Sequence, residues 1–240
     1  MRLILISNRL PFTAQMRDGR FTLERTAGGL ATGLKAYLDS VRGSVETLWV
    51  GWPGLTVPKT QEEAVVSEFK EFGCFPVFLS EEEMENFYHG FCNKTIWALF
   101  HYFPSYAMYD QQFWYHYKNV NERFSEVLKN VIKPDDVIWI HDYHLMLLPS
   151  LLREQFPNAQ IGFFLHIPFP SYEIFRLLPS KWRAEILQGL LGADLVGFHT
   201  HDYVQHFLKC SARILGHENN MGEIYPDRPG CKSRQLSYGY

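Results

Sequence analysis

No apolar run in this sequence approaches the length needed to cross a membrane. The first such run, Leu3 to Ile6, is too short for the core of a secretory signal and no small-residue cleavage site follows it. Cysteine is scarce: Cys74, Cys92, Cys210 and Cys231 form no Cys-x-x-Cys pair, which argues against zinc and suits reduced thiols in a cytoplasmic protein. A formal net charge of −3 gives no electrostatic case for nucleic acid or an anionic membrane surface. There is no Gly-x-Ser-x-Gly elbow, Walker loop or His-Glu-x-x-His, so the mechanisms those motifs carry lose support. Internal repeats and low-complexity tracts are also lacking. A phosphorylated ligand would therefore need a local basic site.

Aromatic residues, by contrast, are abundant at 16%, and rings beyond those a core needs often line carbohydrate sites. Apolar runs alternate with helical periods. Strands are expected at Leu3–Ile6, Leu48–Val50, Cys74–Leu79, Val137–Ile140, Gln160–Leu165, Asp194–Gly197 and after Gln235. Helices are expected at 28–40, 61–72, 112–131, 145–155, 182–191 and 203–215, and Ser80 with Glu83 forms a capping box opening another. The segment between the first strand and Gly28, and that from Gly216 to Ser233, read as polar loops. Such alternation predicts an α/β fold, a Rossmann-like parallel sheet flanked by helices with right-handed crossovers.

Two stretches carry most of the chemistry: Trp139-Ile140-His141-Asp142-Tyr143-His144 and Phe163-Phe164-Leu165-His166-Ile167-Pro168-Phe169-Pro170. Each is a strand that ends in polar residues, and ligands of open α/β sheets gather at the carboxyl ends of strands. Asp142 there can grip sugar hydroxyls, act as a base, or simply cap the following helix. His166, stiffened by two prolines, can meet a ligand or bond to the core backbone. Arg9, at the end of the first strand, can hold a phosphate through paired hydrogen bonds or cap a loop. Gly28 and Gly29 open a helix and allow close approach of a ligand, although the spacing is not that of a dinucleotide fingerprint. Tyr88 and Trp97 can stack on a sugar or pack in the core. His141, His144, His199 and His201 resemble metal clusters only superficially, since His141 should point away from Asp142 along a strand.

In order and spacing, these pieces closely resemble the N-terminal half of the trehalose-6-phosphate synthase family. The matching segments are Ser7-Asn8-Arg9-Leu10-Pro11, Ala27-Gly28-Gly29-Leu30, Val50-Gly51-Trp52, Tyr88 to Trp97 with Phe100-His101-Tyr102, Trp139 to Leu145, Phe164 to Pro170, Glu173-Ile174-Phe175, and Ala193 to Phe198. The resemblance implies residues 1–240 as the N-terminal, acceptor-binding domain of a GT-B glycosyltransferase whose nucleotide-binding domain lies outside this chain. It implies glucose transfer with retention from UDP-glucose to glucose 6-phosphate, without metal or cofactor. Arg9, helped by Tyr88, would hold the acceptor phosphate; Trp97, Asp142 and Tyr143 would position the acceptor sugar, and Trp52 would wall the pocket. Gly28, Gly29 and His166 would face the donor, with Asp142 and His166 nearest the chemistry. Partners would be another copy of the chain or subunits of a trehalose-synthesising complex, with no nucleic acid or membrane. A non-catalytic sugar-phosphate-binding subunit of such a complex is the alternative, and a sister transferase acting on a glycerol phosphate a weaker one.

Overall fold

Burial on both faces is the signature of a central parallel strand, and strand β1, Arg2–Arg9, is buried from Leu3 through Asn8. Its side chains alternate: Ile4 and Ile6 enter one core, Leu3 and Leu5 the other. Strand β6, Asp136–His141, repeats the pattern, with Ile138 and Ile140 on the first side and Val137 and Trp139 on the second. The computed structural model describes residues 1–17, 20–25, 29, 33–34, 43, 45–220, 222–224 and 234–238.

The remaining strands are β2 (Phe12–Arg17), β3 (Arg20–Arg25), β4 (Glu46–Trp52), β5 (Cys74–Pro76), β7 (Gln160–Phe164), β8 (Leu195–Phe198), β9 (Asn219–Asn220), β10 (Glu223–Ile224) and β11 (Arg234–Tyr238). The main sheet runs β5-β4-β1-β6-β7-β8-β11-β10-β9. It is parallel from β5 through β11 and antiparallel at its last two pairings. From β1 the chain works outward through β4 and β5, then returns to the other side of β1 for β6, β7 and β8. The strand order thus reverses between β1 and β6. That reversal opens a crevice at the strands' carboxyl ends, where open α/β sheets bind ligands.

Helices cover the sheet for local reasons. Helix α1, Glu62–Lys70, buries Val65 and Phe69 one turn apart. In α2, Gln111–Lys129, the Asp110 side chain accepts from Gln112 N at the start, and a stripe of Trp114, Tyr117, Phe124 and Leu128 faces the core. Helices α3 (Leu148–Gln155), α4 (Tyr172–Phe175), α5 (Ser180–Leu190) and α6 (His201–Leu215) complete the layer on the larger core. Among the described residues, no helix is long and apolar enough to cross a membrane.

Three local expectations need correction. The first polar loop contains an antiparallel hairpin, β2–β3, pairing Phe12 with Arg25. The 216–233 stretch includes the short strands β9 and β10, which extend the sheet edge. Ser80 and Glu83 do form the capping box, but the helix they open becomes a π-helix over Met84–Trp97. Most of the helix expected at 28–40 lies outside the described residues.

Candidate active site

The crevice between β1 and β6 is built by register. Ile6 pairs with Ile140, so Arg9 and Asp142 leave neighbouring strands at the same rim. Trp52 ends β4 and pairs with Arg9 on the other side of β1. The Arg9 guanidinium lies 5.5 Å from the centre of the Trp52 ring, and its Nη2 donates to Thr13 Oγ1 at 2.9 Å. Gly54, at φ +88°, leaves this place open. A Cβ there would meet Thr13 Cγ2 at 2.7 Å and Arg9 Nη2 at 3.1 Å. Arg9 is exposed, pairs with no carboxylate in its described contacts, and so presents a guanidinium to the rim.

Asp142 is held in unusual backbone, φ 75° and ψ 165°, a region that is essentially glycine's. The surroundings enforce it. Asp142 N donates to the Phe164 carbonyl at 2.8 Å, while Asp142 Oδ1 accepts from Tyr143 N at 2.9 Å and His166 N at 3.3 Å. The carboxylate therefore does cap the turn that follows, yet only one oxygen is used, and 19% of the side chain stays open. Burial pushes its pKa up to about 6 against the pull of those two N–H bonds. At neutral pH it is an ionised, partly dehydrated acceptor.

Rings surround it. Tyr143 is buried; its carbonyl accepts from Tyr117 OH at 2.9 Å, and its hydroxyl reaches Asn93 Oδ1 at 3.5 Å. Tyr88 stacks on His144, with ring centres 5.7 Å apart and planes 12° from parallel. His166 follows β7 and places Nε2 3.0 Å from His141 Nδ1. Burial lowers the pKa of His166 to about 4, helped by His199, and that of His141 to about 3, helped by His166. Burial alone takes His144 to about 3. All three imidazoles are neutral at physiological pH. Among the described residues, Trp52 Nε1, His141 Nε2 and both nitrogens of His144 are buried without a hydrogen-bond partner, as are polar atoms elsewhere in the fold such as Asn121 Oδ1 and Ser211 Oγ.

The π-helix explains the placing of Tyr88 and Trp97. Nine residues apart, they would face opposite sides of an α-helix, about two and a half turns on. An i→i+5 ladder winds more widely, so nine residues make close to two turns and both rings share a side. Asn93, which meets Tyr143, lies between them. Trp97 remains 44% exposed and stacks on His101 at 4.2 Å. Gly29 is exposed, and a Cβ added there would meet nothing within 4 Å; Gly28 lies outside the described residues.

Thus Arg9 meets Trp52, and Asp142, Tyr143, Tyr88 and His166 form one connected group. Trp97 joins them by helix face rather than contact. Sequence reasoning missed Thr13, Asn93 and the supporting Tyr117 hydroxyl, none of which carries a local signal. It did flag His141 and His144, as packed or hydrogen-bonding histidines rather than metal ligands, and the His141–His166 contact is of that kind. A separate cavity of about 860 Å³ opens at the amino ends of β6 and β7. Its charged lining is Arg153, Asp194 and Glu223, of which Arg153 and Asp194 are joined at 2.7 Å and tie α3 to the start of β8. Among the described residues, no group of three or more His, Cys, Asp or Glu side chains could hold a metal ion.

Residues 1–229 match the model of glycosyltransferase family 20. The chain is 47% identical over 230 residues to a bifunctional trehalose-6-phosphate synthase/phosphatase of Thermoproteus tenax, covering 93% of this chain and 31% of that protein. A solved N-terminal domain of Candida albicans trehalose-6-phosphate phosphatase superposes with a TM-score of 0.82 at 32% identity, over 99% of this chain and 47% of the other. An E. coli trehalose-6-phosphate structure bound with UDP-2-fluoro glucose gives a TM-score of 0.78 at 30% identity, over 99% and 48%. The chain therefore spans between about a third and a half of the proteins it is similar to.

Proposed function

The chain belongs to glycosyltransferase family 20, and on that premise we propose that it forms the acceptor side of a retaining glucosyltransferase making trehalose 6-phosphate from UDP-glucose and glucose 6-phosphate. Residues 1–240 act as the N-terminal, acceptor-binding domain of a GT-B enzyme, and alone turn over little or no donor. The E. coli relative holds a UDP-sugar analogue, and a trehalose 6-phosphate product requires glucose 6-phosphate as the accepting sugar.

What supports the reading is that Arg9, which meets no carboxylate among the described residues, and the Asp142 carboxylate leave neighbouring strands at the same rim, beside the crevice between β1 and β6. Arg9, with Tyr88, binds the 6-phosphate by charge-assisted hydrogen bonds. The open oxygen of Asp142 accepts from the acceptor's hydroxyls, Tyr143 and Trp97 flank that sugar, and Trp52 walls the phosphate end. His166, with Gly28 and Gly29, faces the donor glucose. The acceptor hydroxyl oxygen bonds to the glucose anomeric carbon on the face from which the diphosphate departs. The bond from that carbon to the diphosphate oxygen breaks, and the hydroxyl proton passes to the leaving diphosphate. No side-chain nucleophile is needed. A neutral His166 suits this division, because it orients a hydroxyl without competing for the proton.

Calorimetric titration with glucose 6-phosphate tests the assignment. Arg9→Ala should weaken binding by roughly 10- to 100-fold, the worth of a charge-assisted contact, and unchanged affinity would overturn it. A second reading, a non-catalytic sugar-phosphate-binding subunit, draws on the likeness to a phosphatase's N-terminal domain. That reading predicts glucose 6-phosphate binding with no transfer even when a nucleotide-binding domain of the family is supplied.

A further inference from the structure

The bond between His141 and His166 fixes which nitrogen of His166 carries the proton. His141 Nδ1 and His166 Nε2 are 3.0 Å apart, and one of the two must donate. His141 is fully buried, and its Nε2 meets no polar partner. Were His166 the donor, His141 would hold its proton on Nε2, leaving a buried N–H with nothing to accept it, a rare and costly state. With His141 donating through Nδ1, only a lone pair is orphaned. His166 then accepts at Nε2 and keeps its own proton on Nδ1.

We propose that His141 is a positioning residue that locks His166 as an Nδ1–H tautomer, so that His166 offers the crevice a hydrogen-bond donor aimed at a sugar hydroxyl. The identity of that sugar rests on the function proposed above; the tautomer does not. His141 packs against Trp139 at 4.6 Å, and His166 against Phe164 at 4.7 Å and His199 at 5.7 Å, which themselves touch at 5.2 Å. His166 N is tied to Asp142 Oδ1, so the same residue that presents the acceptor carboxylate also sets the position of this donor.

Nitrogen-15 spectra of histidine-labelled protein, recorded without sugar at neutral pH and assigned with a His166→Gln variant, read the tautomer directly. The expected result is a protonated Nδ1 and unprotonated Nε2 at His166. His141→Gln, whose amide can still donate, should retain that state, and His141→Leu should shift His166 toward the Nε2–H form or a mixture. An Nε2–H His166 in the unaltered protein overturns the proposal, as does an unchanged His166 spectrum in His141→Leu. Should His141→Leu fail to fold, the unaltered protein and His141→Gln still decide. Because no sugar is present, failure here leaves the glucose 6-phosphate titration standing, and failure there leaves this result standing.

Discussion

Replacing Asp142 with Asn should make the protein more stable at neutral pH, although the residue lies at the centre of the crevice. The carboxylate's pKa is about 6 in the folded state and 3.8 ordinarily. At about 1.36 kcal/mol per pH unit, keeping it ionised costs the fold at most about 3 kcal/mol. The sign follows from proton binding. Between about pH 4 and 6 the folded protein holds the proton and the unfolded chain does not, so this group's contribution falls as pH rises through that window and is flat above it. Asn keeps the oxygen that accepts from Tyr143 N and His166 N, both on Oδ1. Its amide takes the place of Oδ2, 4.0 Å from a His144 nitrogen that lacks a partner. Urea denaturation from pH 4 to 8 should show the two proteins converging at pH 4 and Asn ahead by up to ~3 kcal/mol near pH 7.5. The neighbouring histidines titrate in both proteins and cancel in the difference. A gap that does not vary with pH, or an Asn protein less stable at pH 7.5, would refute the account of Asp142 as a costly, largely buried carboxylate. Glucose 6-phosphate affinity should fall in the same variant, since a charged acceptor is lost.

Other perturbations test the frame that holds the crevice. Gly90→Ala on the π-helix would put a Cβ 2.6 Å from the Phe113 ring; the clash should cost about 1–3 kcal/mol in a denaturant titration, outweighing alanine's helix preference. Arg2→Met removes the guanidinium that meets Asp136 at 2.7 and 3.1 Å and the Val131 carbonyl at 2.8 Å. Burial alone would raise the pKa of Asp136, but the Arg2 bond and Lys133 N hold it below 3.8. The loss should therefore be about 3 kcal/mol at pH 7, shrinking as acid protonates the carboxylate, first in the variant, where burial acts without the Arg2 bond.

The strands around the crevice were legible because parallel strands buried on both faces announce themselves as apolar runs. β1, β6 and β7 were found for that reason, and Arg9, Asp142 and His166 because each run ends abruptly in a polar residue. The hairpin β2–β3 escaped notice although the sequence signals it, with Phe12, Ala14, Met16, Phe21 and Leu23 alternating with polar residues around an Asp18-Gly19 pair; β9 and β10 escaped because strands of two residues have no period to detect. The π-helix is a subtler case. Met84–Trp97 reads as helical by composition, but nothing local distinguishes i→i+5 from i→i+4; the close seat of Gly90 on Phe113 is a tertiary fact. The pairing of His141 with His166 is equally invisible, since two residues 25 apart meet only when β6 and β7 lie side by side.

Hydrogen–deuterium exchange with and without glucose 6-phosphate tests most directly whether these side chains form one phosphosugar site. Protection should concentrate at the carboxyl rim: the turn after β1 at Arg9, the Asp142–Leu145 turn after β6, and the His166 segment after β7. Protection confined instead to the amino-end cavity around Arg153 and Asp194, or none at a saturating concentration, would contradict it.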